Sequence, residues 1–426
     1  MLSLQYQLER SQWWAPGRIV EHQFRQLREL AAHALANAPY YRKHLERAGL
    51  RRAADLTAET YLRWPVLKKR DVLAHEGALS AARQPPGHGG NRRHFTTGST
   101  GEPTPLLLSE VAQLFSSALV LRDHLWQRRD FSAKYAAARS RLERGVQPGW
   151  WSVETNAAFR TGPLATISSL AGIEEMFDWL IAERPAYLLT YPSVLRGLLE
   201  RSRETGRLPA GLRQVITFTE MLPPDLRGVV EREWTTRLVD AYSSEEFGPI
   251  ALQCPEHDHY HVQSENLYVE LLREDGTPCA PGETGIVVVT ALHNFAMPLL
   301  RYELGDYAEL GGPCQCGRGL PVLRRVVGRV RNMARDPNGR RFRPFIPFGG
   351  WLEIAPIRRI QLVQKSPSAI ELRYVMERDL SAEEERRLTA LLQQQLGYPF
   401  GIALSRVPQI ERRPGEKFED FISEIE

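Results

Sequence analysis

Between residues 165 and 245 helical and strand-like patterns alternate, and this alternation constrains the fold more than any other feature of the chain. Ile173 to Ile181 carries helical spacing, Tyr187-Leu-Leu-Thr-Tyr191 reads as a strand, Val194 to Arg203 as a helix, Val215-Ile-Thr-Phe218 as a strand and Pro224 to Trp234 as a helix. Strands separated by helices pair in parallel, because the helix makes the crossover. Residues 265 to 310 differ. Strand-like runs at Leu267 to Leu272, Gly285 to Leu292 and Met297 to Leu304 are broken by Asp275-Gly276, Pro281-Gly282 and Asn294, which predicts a β-rich meander with short turns.

Either side of this centre the pattern changes again. Apolar residues at Ile19, Phe24, Leu27, Leu30, Ala31, Ala34 and Leu35 predict a helical start over residues 19 to 49, in which the first segment ends in Pro39-Tyr40-Tyr41 and a second short amphipathic stretch follows. After Gly328-Arg329 comes a turn-rich stretch, then strands at 358–364 and 369–376, a helix at 381–396 and a strand at 401–406. One hydrophobic core would be unusual for 426 residues. The expected class is therefore α/β, with a large N-terminal domain over 1–330 and a small α+β C-terminal domain over 331–426.

Composition narrows the partners. With 42% hydrophobic residues and nine Trp the chain is neither disordered nor fibrous. Its charge is 55 − 51 = +4, and the arginines are scattered rather than massed, so no nucleic-acid partner is expected. No stretch approaches the roughly 18 apolar residues of a membrane span, and the opening Met1-Leu-Ser-Leu-Gln-Tyr is too polar for a signal peptide. No membrane partner and a cytoplasmic location are expected, which would keep the four cysteines reduced.

The densest polar loop is Thr96-Thr-Gly-Ser-Thr-Gly-Glu-Pro103. Glycines let backbone approach a ligand, while hydroxyls and free N–H groups donate to phosphate oxygens. The Gly-Lys-Ser/Thr ending of a Walker A loop is missing, and so is Gly-x-Gly-x-x-Gly. From the residues alone the loop is either a phosphate loop of another kind or an ordinary surface loop.

This run resembles the phosphate loop of the adenylate-forming superfamily, which includes acyl- and aryl-CoA ligases, luciferases and the adenylation domains of peptide synthetases. Further motifs follow in order. Phe218-Thr219-Glu220 stands where that family has a Gly-Ala-Glu-like adenine-contacting segment, and Tyr242-Ser243-Ser244-Glu245-Glu246 resembles its Tyr-Gly-x-Thr-Glu. Arg301-Tyr-Glu-Leu-Gly-Asp306 matches Arg-Tyr-x-x-Gly-Asp, Gly328-Arg329 falls at the interdomain hinge, and Gly415-Glu-Lys417-Phe resembles the motif that carries the small domain's lysine. Within the superfamily the chain is most similar to the phenylacetate-CoA ligase, CapK and coenzyme F390 synthetase-like group. The supporting residues are Ala36-Asn-Ala-Pro-Tyr-Tyr-Arg42, Leu292-His-Asn-Phe-Ala-Met-Pro-Leu-Leu-Arg-Tyr302 and Cys314-Gln-Cys-Gly-Arg-Gly-Leu-Pro321.

The resemblance implies ATP-dependent activation of a carboxylic acid, aryl or similar, as acyl-AMP with release of pyrophosphate, and then transfer to CoA or another thiol. It implies that Thr96, Thr97, Ser99 and Thr100 donate to phosphates while Gly98 and Gly101 permit the approach. The loop's usual lysine is replaced at Thr104. Glu246 aligns with the Mg²⁺-binding glutamate, with Glu245 as the alternative because the motif has drifted. Tyr242 would stack on adenine, Asp306 would hold the ribose hydroxyls and Arg329 would contact nucleotide or hinge. Lys417 would swing onto the α-phosphate. Either acidic residue could instead be a solvated turn, Asp306 a turn residue and Lys417 a surface charge. Arg331-Asn332 departs from the acidic residue often found at the hinge.

Cys254-Pro-Glu-His-Asp-His-Tyr-His261 and Cys314-Gln-Cys316 supply thiols and imidazoles. Three thiols and one imidazole are an accepted zinc set, although Cys-x-Cys is tighter than the usual spacing. The resemblance singles out Cys254, His261, Cys314 and Cys316 for Zn²⁺ and leaves Cys279 a spectator; free thiols in two loops are the other reading. An acyl carrier protein or an amine could replace CoA as acceptor, a homodimer stands among the expectations, and a nucleotide-binding protein without turnover is the competing class.

Overall fold

A computed structural model describes residues 1–47, 52–96, 103–140, 142–329, 333–339, 341–342, 344, 351, 353–410 and 421–425. The chain forms two compact units, Met1–Thr219 with Thr236–Val326, and Glu220–Thr235 with Val327–Glu426. No described helix is long and apolar enough to cross a membrane.

The first unit opens with helices α1 (Leu2–Ser11), α2 (Pro16–Asn37), α3 (Pro39–Arg47), α4 (Ala58–Leu62) and α5 (Lys69–Leu79). Helix α1 is absent from the sequence expectation, and the break expected at Pro39 falls at Ala38, whose extended backbone precedes the proline. The buried stripe of α2, Ile19, Phe24, Leu27, Leu30, Ala31 and Ala34, is the one its periodicity predicts. Most of that stripe joins the largest core cluster, together with residues of the β-rich region such as Leu267, Val287 and Val289.

Next comes a hairpin, β1 (Asn91–Phe95) and β2 (Pro105–Ser109), followed by α6 (Glu110–Trp126). The parallel half contains β3 (Tyr135–Arg139), β4 (Gly145–Gln147), α7 (Val153–Asn156), β5 (Leu164–Ser168), α8 (Ile173–Glu183), β6 (Tyr187–Thr190), α9 (Pro192–Thr205) and β7 (Gln214–Phe218). The chain then passes through α10 (Leu226–Trp234), which belongs to the second unit, and returns as β8 (Arg237–Ser244). The pairs β5–β3, β3–β6, β6–β7 and β7–β8 are all parallel, as the alternation requires.

The antiparallel half contains β9 (Gly248–Gln253), β10 (Tyr260–Val262), β11 (Leu267–Leu272), β12 (Thr284–Ala291), β13 (Tyr302–Leu310) and β14 (Val322–Arg329). The hairpin from β8 into β9 joins both halves into one twelve-stranded sheet, ordered β11-β12-β13-β14-β10-β9-β8-β7-β6-β3-β5-β4. One expectation fails here. The run Met297 to Leu304 is not a strand until Tyr302. Pro298 has no N–H to give a ladder, Arg301 sits at φ 50°, and the backbone between them turns to Tyr41: its hydroxyl donates to Pro298 O at 2.6 Å and accepts from Leu300 N at 3.2 Å.

In the second unit, β15 (Ala334–Arg335) pairs with β16 (Arg341–Phe342). A four-stranded sheet of β17 (Arg359–Ser366), β18 (Ala369–Val375), β19 (Gly401–Arg406) and β20 (Phe421–Ser423) has the order β19-β18-β17-β20. Helix α11 (Ala382–Leu396) starts at a capping box, with Ser381 Oγ accepting from Glu384 N, and ends at Gly397 in the left-handed region. Its Leu388, Leu392 and Leu396 pack with Leu362, Leu372 and Phe421 in a core of the unit's own.

Candidate active site

In open α/β sheets, ligands bind at the carboxyl ends of the parallel strands. Phe218, Tyr242, Ser243 and Ser244 lie at those ends. Phe218 ends β7, and Thr219 follows it at φ 72°. A β-branched residue rarely adopts that conformation, and the cost, on the order of 1–3 kcal/mol, is characteristic of functional turns.

Tyr242, Ser243 and Ser244 end β8, and Glu245-Glu246-Phe247 makes the turn into β9. Phe247 is buried, with its ring 5.9 Å from that of Tyr302, and its N–H donates to Ser244 Oγ at 3.2 Å. That anchoring leaves Glu245 exposed and Glu246 half-buried. Beneath the turn, Asp240 ties three strands together. It accepts from Thr217 Oγ1 at 2.6 Å and Tyr260 Oη at 2.7 Å, and its N–H donates to Gln253 Oε1 at 2.8 Å.

Asp306 reaches this place from the other half of the sheet. On β12 and β13 the register passes from Ile286↔Tyr307 to Val288↔Glu303, so Leu304-Gly305-Asp306 bulges out of the ladder. Gly305, at φ 81°, permits the bulge, and a bulge re-aims a side chain. Tyr242 Oη donates to Asp306 Oδ2 at 2.8 Å. β8 and β13 are four places apart in the sheet, about 19 Å if it were flat, so the sheet curls to make this bond.

The arginine of the same motif does something else. Arg301 is buried against Glu270, with Nη2–Oε1 at 2.9 Å and Nε–Oε2 at 3.1 Å, and also donates to the carbonyls of Leu62 and Trp64. Burial raises the Glu270 carboxyl above its ordinary range, with Arg301 opposing. This arginine holds the fold while the aspartate five residues on faces Tyr242.

The polar loop is held at its neck. Thr96 N donates to Thr104 O at 3.0 Å, and Thr104 N donates to Thr96 Oγ1 at 3.1 Å. Thr96 is buried and its hydroxyl oxygen serves the neck, and Thr104 is buried too. Asn294 steadies the return strand, accepting from Ser109 N at 3.3 Å and donating to Leu107 O at 3.0 Å. Thr97, Gly98, Ser99, Thr100 and Gly101 lie outside the described residues, as do Arg331, Asn332 and Lys417. In the second unit, Glu220 is half-buried, and Arg329 closes β14 after Gly328 at φ 106°.

The thiols and imidazoles converge. One donor atom each from Cys254, His259, His261 and Cys314 lie within 4.8 Å of one another. Cys254 Sγ and Cys314 Sγ are 3.9 Å apart, close to the about 3.8 Å that two thiolates on one tetrahedral zinc would show. His259 Nε2 is 3.0 Å from Cys314 Sγ, and Cys316 Sγ is 3.3 Å from His261 Nε2. Burial pushes His261 down to about 4, so its ring is a neutral donor, and pushes Cys314 up to about 12, so a cation is needed to hold its thiolate. His259 is the residue that sequence reasoning missed. Its signal was the imidazole-rich run His257, His259 and His261 beside Cys254; His259 lies in the bend that leads into β10.

This loop docks on the N-terminus. Gly319 N donates to Gln12 O at 2.9 Å and Arg318 Nε to Gln12 Oε1 at 2.9 Å, while a Cβ at Gly319 would overlap the Trp14 carbonyl. Sequence reasoning also missed Arg139, at the end of β3, whose guanidinium lies over the ring of Phe218.

No protein-family model matches the chain. Phenylacetate-coenzyme A ligase of Thermus thermophilus is 26% identical over 321 residues, 72% of this chain and 69% of that one. The Escherichia coli enzyme of the same name is 25% identical over 321 residues, 73% and 71% of the two chains. Among solved structures, a 2-hydroxyisobutyryl-CoA ligase in the postadenylation state with its acyl-AMP superimposes with a TM-score of 0.74 at 19% identity, covering 94% of this chain and 89% of that one. The chain is a relative of the phenylacetate-coenzyme A ligases. Its fold is that of the adenylate-forming ligases, with a large N-terminal and a small C-terminal part.

Proposed function

We propose that this relative of the phenylacetate-CoA ligases activates a carboxylic acid with ATP and transfers the acyl group to the thiol of CoA. The Tyr242–Asp306 bond carries the reading, because it brings two nucleotide-type motifs 64 residues apart to one spot at the strand ends. In the first half-reaction a carboxylate oxygen attacks the α-phosphorus of ATP, the bond to the β-phosphate oxygen breaks and pyrophosphate leaves. In the second, the CoA sulfur attacks the acyl carbon, AMP leaves and the thiol proton is released.

Within this scheme Tyr242 and the Thr219-Glu220 turn that follows Phe218 face the adenine, and Asp306 accepts from the ribose hydroxyls. Positioning and electrostatics do most of the work in such chemistry. Thr97, Ser99 and Thr100 donate to the phosphates between Gly98 and Gly101, while Thr96 closes the loop's neck. Half-buried Glu246 suits Mg²⁺ better than exposed Glu245, since a fixed carboxylate loses less freedom on binding. Lys417, on a small domain over 331–426, joins the α-phosphate and the carboxylate, and Arg329 serves the hinge.

The thiol and imidazole cluster holds a structural zinc through Cys254, His261, Cys314 and either His259 or Cys316. Zinc there would fasten the Cys314–Gly319 loop to β10. Metal analysis of the pure protein is expected to find about one zinc per chain, reduced in Cys254→Ser, and a value near zero in the parent removes the site.

The decisive assay is pyrophosphate release over a panel of aryl and aliphatic acids, with and without CoA. Release that depends on an acid, with acyl-CoA formed when CoA is present, is the expected result. ATP binding without release for any acid overturns the reading in favour of nucleotide binding without turnover.

A further inference from the structure

A row of side chains crosses the parallel half at its strand ends. Ala137 on β3 pairs with Leu189 on β6, and Leu189 with Ile216 on β7. Two residues further along each strand the same register sets Arg139, Tyr191 and Phe218 side by side on one face. The rings of Tyr191 and Phe218 stack with centroids 5.1 Å apart and planes 25° apart, and the guanidinium carbon of Arg139 is 5.2 Å from the Phe218 centroid. The backbone of Arg139 is tied down, its carbonyl accepting from Ser169 N at 3.1 Å and Leu142 N at 3.2 Å.

Arg139 is exposed, and among the described residues no carboxylate pairs with it. Arg122, Arg129 and Arg301, by contrast, are each buried against an acid. A guanidinium laid on an aromatic face keeps its in-plane N–H donors available, and their fork matches a carboxylate. The two stacked rings offer an apolar surface beside it. β3 lies three places from β8 in the sheet, about 14 Å, so the cation stands well away from the Tyr242–Asp306 pair that marks the nucleotide.

We propose that Arg139 pairs with a second anionic group on the acid, so that the protein's substrates are dicarboxylic acids activated at the carboxyl remote from Arg139. The proposal rests on the acid-activation reading above. It is tested by pyrophosphate release with succinate, adipate and terephthalate, each against a monoacid of matched shape: butyrate, hexanoate and 4-methylbenzoate. A charge-assisted bidentate contact corresponds to about 10–100-fold in kcat/KM, and at least one dicarboxylate should be preferred by that factor. Arg139→Gln should erase the preference mainly through the KM for the acid, with the KM for ATP moving less than about twofold, and Arg139→Lys should restore part of it. An unchanged melting temperature in each variant shows that the fold is intact.

Turnover of monoacids with no preference for the dicarboxylates overturns the proposal and leaves acid activation standing. A raised KM for ATP in Arg139→Gln overturns it by assigning the cation to the nucleotide. Silence with every acid overturns both readings.

Discussion

Arg301 and Arg139 lie in the two halves of one sheet and illustrate opposite uses of the same side chain. Arg301, in the antiparallel half, is 2% exposed and gives its donors to Glu270 and two backbone carbonyls. Arg139, at the ends of the parallel strands, is exposed, and among the described residues no carboxylate pairs with it. A recognisable motif led to the structural arginine, while the arginine in position to meet a ligand carries no motif. Within Arg301-Tyr-Glu-Leu-Gly-Asp306 the division recurs: the first residue anchors and the last presents.

Four measurements would break or sharpen this contrast. Arg301→Ala strands a buried Glu270 and is expected to cost about 3–5 kcal/mol in denaturant unfolding, whereas Arg139→Ala should stay within about 0.5 kcal/mol of the parent. Equal losses would erase the distinction. Asp306→Asn keeps the shape but removes the charge, and kcat/KM for ATP should fall by about 10–100-fold without loss of folding. A collapse in melting temperature would make Asp306 structural as well.

The third measurement concerns acid. Burial alone would raise Glu265, but Arg122 and Ser11 outweigh it and hold the carboxyl below its ordinary value of 4.5. A depressed carboxyl gives stability that is present above the ordinary range and lost as pH falls through the folded value. Unfolding of the parent should therefore steepen below about pH 4.5, and Glu265→Gln should flatten that limb. Glu270, raised by burial, should give the opposite slope, with stability falling as pH rises above 4.5. Matching slopes for Glu265→Gln and Glu270→Gln would contradict both assignments. The smallest effect belongs to Tyr242→Phe, which removes one hydrogen bond to Asp306 and should cost about 0.5–1.5 kcal/mol in ATP affinity by calorimetry.

The sequence reported the fold best where apolar periodicity was strong. Strands β6, β7, β11 and β12 and helices α8 and α9 fall where period-two and 3.6-residue patterns place them. Strand β3 escaped because Tyr135-Ala-Ala-Ala-Arg139 lacks the β-branched residues that mark strands; its pairing comes from β5 and β6 on either side. The run at Met297 misled for the converse reason, since Leu299 and Leu300 are apolar because they are buried, not because they pair.

At the site, motif order located Tyr242 and Asp306, but no spacing rule could say that they touch, since the bond depends on a bulge and on the curl of the sheet. The Cys-rich loops suggested a metal site by composition. That His259 approaches Cys314 while His261 approaches Cys316 depends on how two distant loops fold together, which spacing alone does not give.

The N-terminal turn has a consequence for how the chain assembles. The partners of its first fourteen residues are Ala118 for Gln5, Arg122 for Leu8, Glu265 for Ser11 and Arg318 for Gln12, the last 306 positions away. Helix α1 can therefore dock on α6 once residues 118–122 exist, whereas the Trp13-Trp14 pair waits for Gly319, which seats it. Contacts of such long range slow folding and leave apolar surface open in the interval.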